Sequence, residues 1–459
     1  MVVLHTLLLL AELAGWAAAQ TTVTVNTKST LQTIDGFGFS QAFGRATEFK
    51  NANSAAQKTG LDLLFSTTSG AGFSIIRNRI GSGGAGDSIE PTNPGSPSAT
   101  PNYTWNSNDS GQLWFTKQAV SYGVKTIYAD AWSAPGFMKT SGNEAKAGYL
   151  CGTTGHTCSS GDWRQAYANF LVQYVKYYAQ EGITVTHLGF LNEPDYSPGY
   201  SQMQISSNAQ EAISFIPTLH KTVEAAGLHT NLTCCDAMGW SSQAKYTAAL
   251  KSADMEPYLG VITSHTYSSE ATTPINTRLP TWITESGTGS ASAFIKTWYA
   301  SGAAGEGFTW AAKLATALVN ANASAYLYWE GFEVGQTQSG SHLVDATGST
   351  ATPSGILWAF AMWSRFVRPG AVRLQAAGSP SGVITGAFKN VDGSVVVVFT
   401  NTGGSTQQVK AAFDGFTPKS ASAWLTDRSH TVASTSAPLS GGAVTVLVPS
   451  KGVVTVKLS

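Results

Sequence analysis

The chain has 459 residues, in which 27 Lys and Arg balance 27 Asp and Glu, and only 12% of positions are charged. A neutral chain without basic runs argues against nucleic acid, whose phosphates demand clustered cations, and against electrostatic adhesion to anionic membranes. The 11% aromatic content, set among Gly, Ser and Thr, suits an uncharged ligand with flat apolar faces such as a sugar; a surface kept soluble by hydroxyls and glycans has the same composition.

Residues 4–10 (LHTLLLL), with Ala17-Ala18-Ala19 ahead of Gln20, read as a secretory signal over 1–19, too short to span a bilayer. Its n-region carries no Lys or Arg, only His5. No later run approaches transmembrane length, so a soluble, secreted, extracellular protein is expected. Sequons at Asn102, Asn108, Asn231 and Asn322 are compatible with that.

Residues 22–26 (TVTVN) alternate as a strand, and 20–30 are expected to join a sheet outside the main domain. From 31 to 370, short apolar runs trade places with helical periodicity. Strands are predicted at 33–40, 73–80, 125–132, 187–193, 231–236, 259–265, 280–285 and 324–330. The clearest helix starts at an Asp162 N-cap, repeats Trp163, Tyr167, Phe170, Tyr174 and Tyr178 at helical spacing, and stops at Gly182. A second covers 208–226 and stops at Gly227. Eight strands alternating with helices predict a (β/α)8 TIM barrel rather than an open sheet, which would want a GxGxxG after a strand. Residues 81–86 (GSGGAG) lack the following Lys-Ser/Thr of a phosphate loop and read as surface. From 371 to 459 the texture is all-β, with strands at 383–388, 395–400, 444–448 and 453–458 and an Asp392-Gly393 turn, predicting a side β-sandwich.

Cys151 and Cys158 bracket a short loop, and a local bridge is expected in an oxidising compartment. Adjacent Cys234 and Cys235 read as buried thiols in preference to a vicinal bridge. No Cys/His spacing matches a zinc site, and neither metal nor cofactor is expected. There is no GxSxG elbow and no HExxH.

Barrel enzymes hold their chemistry where strands end and loops begin. Glu193, Glu285 and Glu330 stand at such ends. Glu193 and Glu285 each close a largely apolar run, on strands four and seven, where an unpaired carboxylate costs free energy. Two facing carboxyls are what glycoside hydrolysis requires: one delivers a proton to the leaving oxygen, the other attacks or activates water. Glu330 is assigned a sugar-hydroxyl or structural role.

Asn192-Glu193-Pro194 and Thr284-Glu285-Ser286 resemble the retaining barrel glycosidases with glutamates on strands four and seven. With Asp35-Gly36-Phe37-Gly38, Trp132-Ser133-Ala134-Pro135, Cys234-Cys235-Asp236 and Ser364-Arg365-Phe366-Val367-Arg368-Pro369-Gly370, the chain resembles glycoside hydrolase family 30 over nearly its whole mature length. The nearest resemblance is to the family's fungal xylan-active subfamily. It implies Glu193 as general acid/base and Glu285 as nucleophile of a two-step retaining mechanism, with carboxyls roughly 5–5.5 Å apart. It further implies that Asn192 bonds the sugar 2-hydroxyl. His265 and Tyr267 would orient nucleophile or sugar, although His265 also reads as a satisfied core histidine. Trp132 and Trp329 read equally as stacking platforms or barrel core. Arg45 reads either as a clamp for a glucuronic acid carboxylate or as an ordinary surface arginine. Asn93, with Glu90 on the loop 81–104, would contact or block the non-reducing end of the substrate. The expected activity is that of a secreted, monomeric endo-xylanase or xylobiohydrolase on glucuronoxylan, its partner being the polysaccharide. The alternatives are β-1,6-glucan or β-1,6-galactan cleavage on the same scaffold, and a catalytically silent carbohydrate-binding protein.

Overall fold

A computed structural model describes residues 20–84, 86–289, 293–337 and 340–459; the signal expected at 1–19 lies outside the described residues. The first strand, β1 (Thr21–Ile34), breaks at Asp35, and β2 (Gly36–Ser40) opens the barrel. The single strand expected at 33–40 is therefore divided between two sheets. Helices α1 (Arg45–Asn51) and α2 (Ser54–Phe65) lead to β3 (Ile75–Ile80), then α3 (Gln112–Ser121), β4 (Thr126–Ala131), α4 (Arg164–Gln180) and β5 (His187–Gly189). The second half runs α5 (Gln210–Ala225), β6 (Asn231–Ala237), α6 (Trp240–Ser252), β7 (Val261–His265), β8 (Thr281–Glu285), α7 (Gly307–Val319) and β9 (Ala325–Val334).

Strands β2 to β9 pair in parallel in chain order, and β9 closes the ring by pairing with both β8 and β2. The protein is a (β/α)8 barrel with a second, all-β unit. Such strands are covered on both faces, which is why β3 and β8 are buried at every position, polar residues included. At Gly38 a Cβ would meet the Ile75 carbonyl oxygen at 2.0 Å, so only glycine lets β2 and β3 close.

Two boundaries differ from the sequence expectation. Helix α4 starts at Arg164; Trp163 takes the cap position, and Asp162 accepts from the Arg164 backbone N–H and grips its guanidinium at 2.6 Å. Strand β5 ends at Gly189 instead of running on to Glu193, because the chain turns out of the ladder ahead of a residue with φ 47° at Glu193.

After the barrel, β10 (His342–Thr347) and β11 (Thr350–Pro353) extend β9 as a hairpin, and α8 (Gly355–Ser364) leads into the second unit. That unit holds β12 (Ala371–Ala377), β13 (Val383–Lys389), β14 (Val395–Asn401), β15 (Gln407–Asp414), β16 (Ala421–Thr426), β17 (Ala433–Thr435), β18 (Leu439–Ser440), β19 (Ala443–Val448) and β20 (Val453–Leu458). Strand β1 lies within it, antiparallel to β12 and parallel to β15, so both ends of the described chain meet in this sheet. Its core gathers Val23 and Val25 with Val397, Phe399, Val446 and Val456. Phe388, Val396, Val398 and Val453 instead join the barrel's own buried cluster, and Phe366 packs on Trp424 with ring centroids 4.5 Å apart. Among the described residues no helix is long and apolar enough to cross a membrane.

Both cysteine pairs are bridged. Cys151–Cys158 closes its short loop with Cα atoms 5.5 Å apart. Cys234 and Cys235, expected as buried thiols, are bonded to each other across a cis peptide, their Cα atoms 3.0 Å apart.

Candidate active site

Residues two apart on a strand share a face, so β3 sends both Arg77 and Arg79 into the barrel, one layer above the other. Arg77 is completely buried. Its Nη1 donates to Glu285 Oε2, and its Nη2 donates to Asp130 Oδ2 at 2.7 Å and Asn192 Oδ1 at 2.6 Å. Asp236 Oδ1 lies 3.5 Å from the same guanidinium. The next strand, β5, must make room for this layer: a Cβ at Gly189, the register partner of Asp130, would lie 2.1 Å from Asp130 Oδ1. Burial, with Asp236 nearby, pushes Asp130 well above the usual carboxylate range despite Arg77.

Asp236, on β6, accepts from Tyr128 Oη at 2.7 Å and from the Thr263 and Thr284 hydroxyls at 2.5 Å each. Burial works to raise its pKa, but the bond to His265 and the charge of Arg77 outweigh that and hold it below its ordinary value. His265, the last residue of β7, lies between the carboxylates. Its Nδ1 is 3.1 Å from Glu193 Oε1 and its Nε2 is 3.4 Å from Asp236 Oδ1. Burial disfavours a charged ring there, yet Glu285, then Asp236 and Glu193, overrule it and lift the imidazole to about 10. His265 is therefore a fixed cation with both N–H groups committed.

Glu285, ending β8, is held by Arg77 on Oε2 and by the Tyr267 hydroxyl on Oε1 at 2.9 Å. Burial keeps its pKa above the ordinary value against the pull of His265 and Arg77. Glu193 sits on the loop after β5 in the left-handed region, which costs a non-glycine residue roughly 1–3 kcal/mol. Three bonds fix its backbone: its N–H donates to Asp236 O at 2.8 Å, and its carbonyl accepts from Tyr196 N–H at 2.9 Å and Gln202 Nε2 at 3.1 Å. Its side chain takes His265 on Oε1 and the Tyr200 hydroxyl on Oε2 at 3.2 Å.

Glu193, His265 and Glu285 each place one side-chain N or O atom so that all three lie within 4.8 Å of one another. Such a trio has the residue types of a metal site. The three are already engaged with protein partners, His265 with Glu193 and Asp236 and Glu285 with Arg77 and Tyr267, so the trio does not present the open donor set a metal needs. What the spacing fits is retention: a retaining pair needs about 5–5.5 Å, whereas an inverting pair needs roughly 6.5–9.5 Å to admit a water.

Above the pair opens a cleft of about 540 Å³ with Phe43, Trp132, Tyr196, Tyr200, Tyr267 and Trp329 in its walls. Trp132 is buried, backed by Arg77 at 4.3 Å from its ring, and touches Phe43 and Trp329 with centroids 5.8 and 6.3 Å away. The structure thus brings Glu193, Glu285, Asn192, His265, Tyr267, Trp132 and Trp329 together.

Arg45 and Asn93 are not among the described residues lining the cleft. Arg45 bonds Glu48 at 2.8 Å and Thr337 Oγ1 at 2.6 Å, with Glu333 3.9 Å away, so its charge is already matched instead of waiting for a ligand carboxylate. Asn93 is exposed and its Oδ1 accepts from Gly95 N–H within its own loop. Glu330 is fully buried, its carboxyl pushed far up by burial and by Glu333, which fits a structural group better than one bonding a sugar.

Arg77, Asp130, Phe43, Tyr196 and Tyr200 did not emerge from sequence reasoning. For Arg77 a signal existed: a permanent charge inside FSIIRNRI, a run otherwise fit for a barrel strand. Tyr200 lies in PDYSPGYSQ, where nothing points it back towards Glu193.

A parallel barrel with two buried glutamates facing each other across an aromatic cleft is the architecture of a glycoside hydrolase. Residues 20–272 match the family described as O-Glycosyl hydrolase family 30, and residues 370–456 match the Glycosyl hydrolase family 30 beta sandwich domain. The chain belongs to glycoside hydrolase family 30. The catalytic domain of a GH30 xylanase C from Talaromyces cellulolyticus superposes with a TM-score of 0.92 at 53% identity, covering 95% of this chain and 100% of that one. An endo-1,6-β-D-glucanase of Aspergillus fumigatus is 27% identical over 429 residues, 84% of this chain and 82% of its own. An endo-1,6-β-D-glucanase of Neurospora crassa is 27% identical over 395 residues, 82% and 80% of the respective chains.

Proposed function

We propose that this enzyme is a retaining β-glycosidase that cleaves β-1,4-xylan. The observation that carries the mechanism is the approach of Glu193 and Glu285 to within 4.8 Å. In the first step a Glu285 oxygen bonds the anomeric carbon while the glycosidic bond breaks and Glu193 passes its proton to the leaving oxygen. In the second, water gives a proton to Glu193 and its oxygen to the anomeric carbon, and the Glu285 ester bond breaks. Each step inverts, so the product keeps the β configuration. Asn192, its Oδ1 tied to Arg77, keeps its NH₂ for the sugar 2-hydroxyl. Tyr267 and Arg77 hold the nucleophile in line, and Trp329, with the buried Trp132 packed against it, offers an apolar face to the sugar rings.

Xylan is preferred over β-1,6-glucan because the likeness to the Talaromyces xylanase is 53% across 95% of the chain, against 27% to the glucanases. With Arg45 paired internally, the reading includes no arginine clamp for a glucuronic acid branch. Two disulfides accord with an extracellular enzyme. The test is turnover of linear xylan, glucuronoxylan and β-1,6-glucan by the wild type and by Glu285→Gln. The expected result is release of xylo-oligosaccharides from both xylans and a loss of at least about 10⁴-fold in the variant. Turnover confined to β-1,6-glucan would replace the substrate, and full activity of Glu285→Gln would overturn the mechanism.

A further inference from the structure

We infer that Tyr200 is a positioning residue that favours proton donation by Glu193, an inference that rests on the retaining mechanism but not on the choice of xylan. Glu193 has a division of labour between its oxygens. Oε1 is tied to His265, a buried cation that cannot move aside, so the oxygen free to address a leaving group is Oε2. The one side chain bonded to Oε2 among the described residues is Tyr200, whose hydroxyl stands 3.2 Å away.

The setting of Tyr200 is that of a working group rather than core filler. The residue is 42% exposed and lines the cleft, with its ring edge-on to Phe43 at 6.2 Å. The backbone beside it is firmly held: Arg79 Nη2 donates to Ser201 Oγ at 2.6 Å, the Gln202 carbonyl accepts from Lys139, and the Gln202 side chain reaches back to the Glu193 carbonyl. The hydroxyl is thus delivered to one carboxyl oxygen by a loop anchored at the next two residues. Burial and the neighbouring Glu193 and Glu285 hold the phenol well above its ordinary pKa, so it remains a donor.

The consequence follows from what happens to Oε2 in the first step. Before reaction that oxygen bears the proton aimed at the glycosidic oxygen, and Tyr200 donates to its remaining lone pair as one neutral group to another. As the glycosidic carbon–oxygen bond breaks, its electron pair goes to the leaving oxygen, which takes the proton, and Glu193 becomes a carboxylate. The Tyr200 bond is then charge-assisted and about twice as strong. An interaction that strengthens only as the proton leaves accelerates that step. A leaving group that departs without a proton gains nothing from it.

The experiment compares wild type and Tyr200→Phe on two substrates: xylotetraose, whose leaving sugar needs a proton, and 2,4-dinitrophenyl β-xylobioside, whose phenolate does not. Phenylalanine keeps the ring and removes only the hydroxyl. The expected result is a loss of roughly tenfold in kcat/KM on xylotetraose with less than twofold change on the aryl glycoside, whose turnover also reports that the variant is folded. An equal loss on both substrates, as from a merely structural role, or no loss on either, would overturn the inference. If the wild type ignores both and cleaves gentiotetraose, the xylan reading fails, and the same comparison is made with gentiotetraose and the dinitrophenyl gentiobioside.

Discussion

At the scale of single residues, the site is a problem in burying charge. Four carboxyls and two cations share a buried space at the floor of the cleft, and each cation is paired with more than one acid. Removing one partner from such a network strands the others, whereas the intact set offsets its own desolvation. His265 makes this measurable. Its folded-state value of about 10 lies above its ordinary 6.5, so the charged ring contributes stability that is complete below about pH 6.5 and lost as pH rises through about 10. We expect urea unfolding to show wild type losing stability between pH 6 and pH 10 relative to His265→Gln; parallel profiles would refute the fixed-cation assignment. How much of this was legible depended on residue type. Strand-end glutamates stand out because a carboxylate after an apolar run demands an explanation. Arg77 is just as anomalous, but its role depends on facing inward, which the run FSIIRNRI does not state. For Arg45 the i,i+3 partner Glu48 was visible in the sequence, while Glu333 comes from β9, the last barrel strand, which closes the ring beside β2.

At the scale of elements, the eight barrel strands were readable because parallel strands buried on both faces are rich in apolar residues, short runs of which recur between the helices. Their ends were not: β5 stops four residues before Glu193, and only the turn following it brings that carboxyl over the cleft. The connecting loops carry much of what sequence could not show, and one buried lysine organises two of them. Lys139 Nζ directs its three N–H groups into a cage of five oxygens: Ser133 Oγ at 2.9 Å and the carbonyls of Asn143 at 3.1 Å, Glu144 at 2.9 Å, Lys146 at 2.9 Å and Gln202. It joins the segment after Trp132 to the loop bearing Tyr196 and Tyr200. Lys139→Met would leave those buried oxygens unmatched, and the expected cost is about 2–4 kcal/mol by urea denaturation together with a raised KM. A change below about 0.5 kcal/mol would show that the loops hold themselves.

At the scale of the whole molecule, the side sheet belongs to the same packed body as the barrel, through Phe388, Val396, Val398 and Val453 beneath α8. The all-β texture after 371 and the alternation at 22–26 were both plain in the sequence. The pairing of β1 between β12 and β15 depends on contacts separated by more than 300 positions, which no local pattern encodes. The molecule thus holds a rigid ring of strands that sets two carboxyls within 4.8 Å, under an aromatic cleft with little free charge. Such spacing imposes two successive inversions at one carbon. Proton NMR of the wild-type enzyme acting on xylohexaose, recorded before mutarotation, tests it most directly. The β-anomer of the new reducing end is expected to appear first, with the α-anomer following only by mutarotation; an α-anomer appearing first would overturn the retaining mechanism.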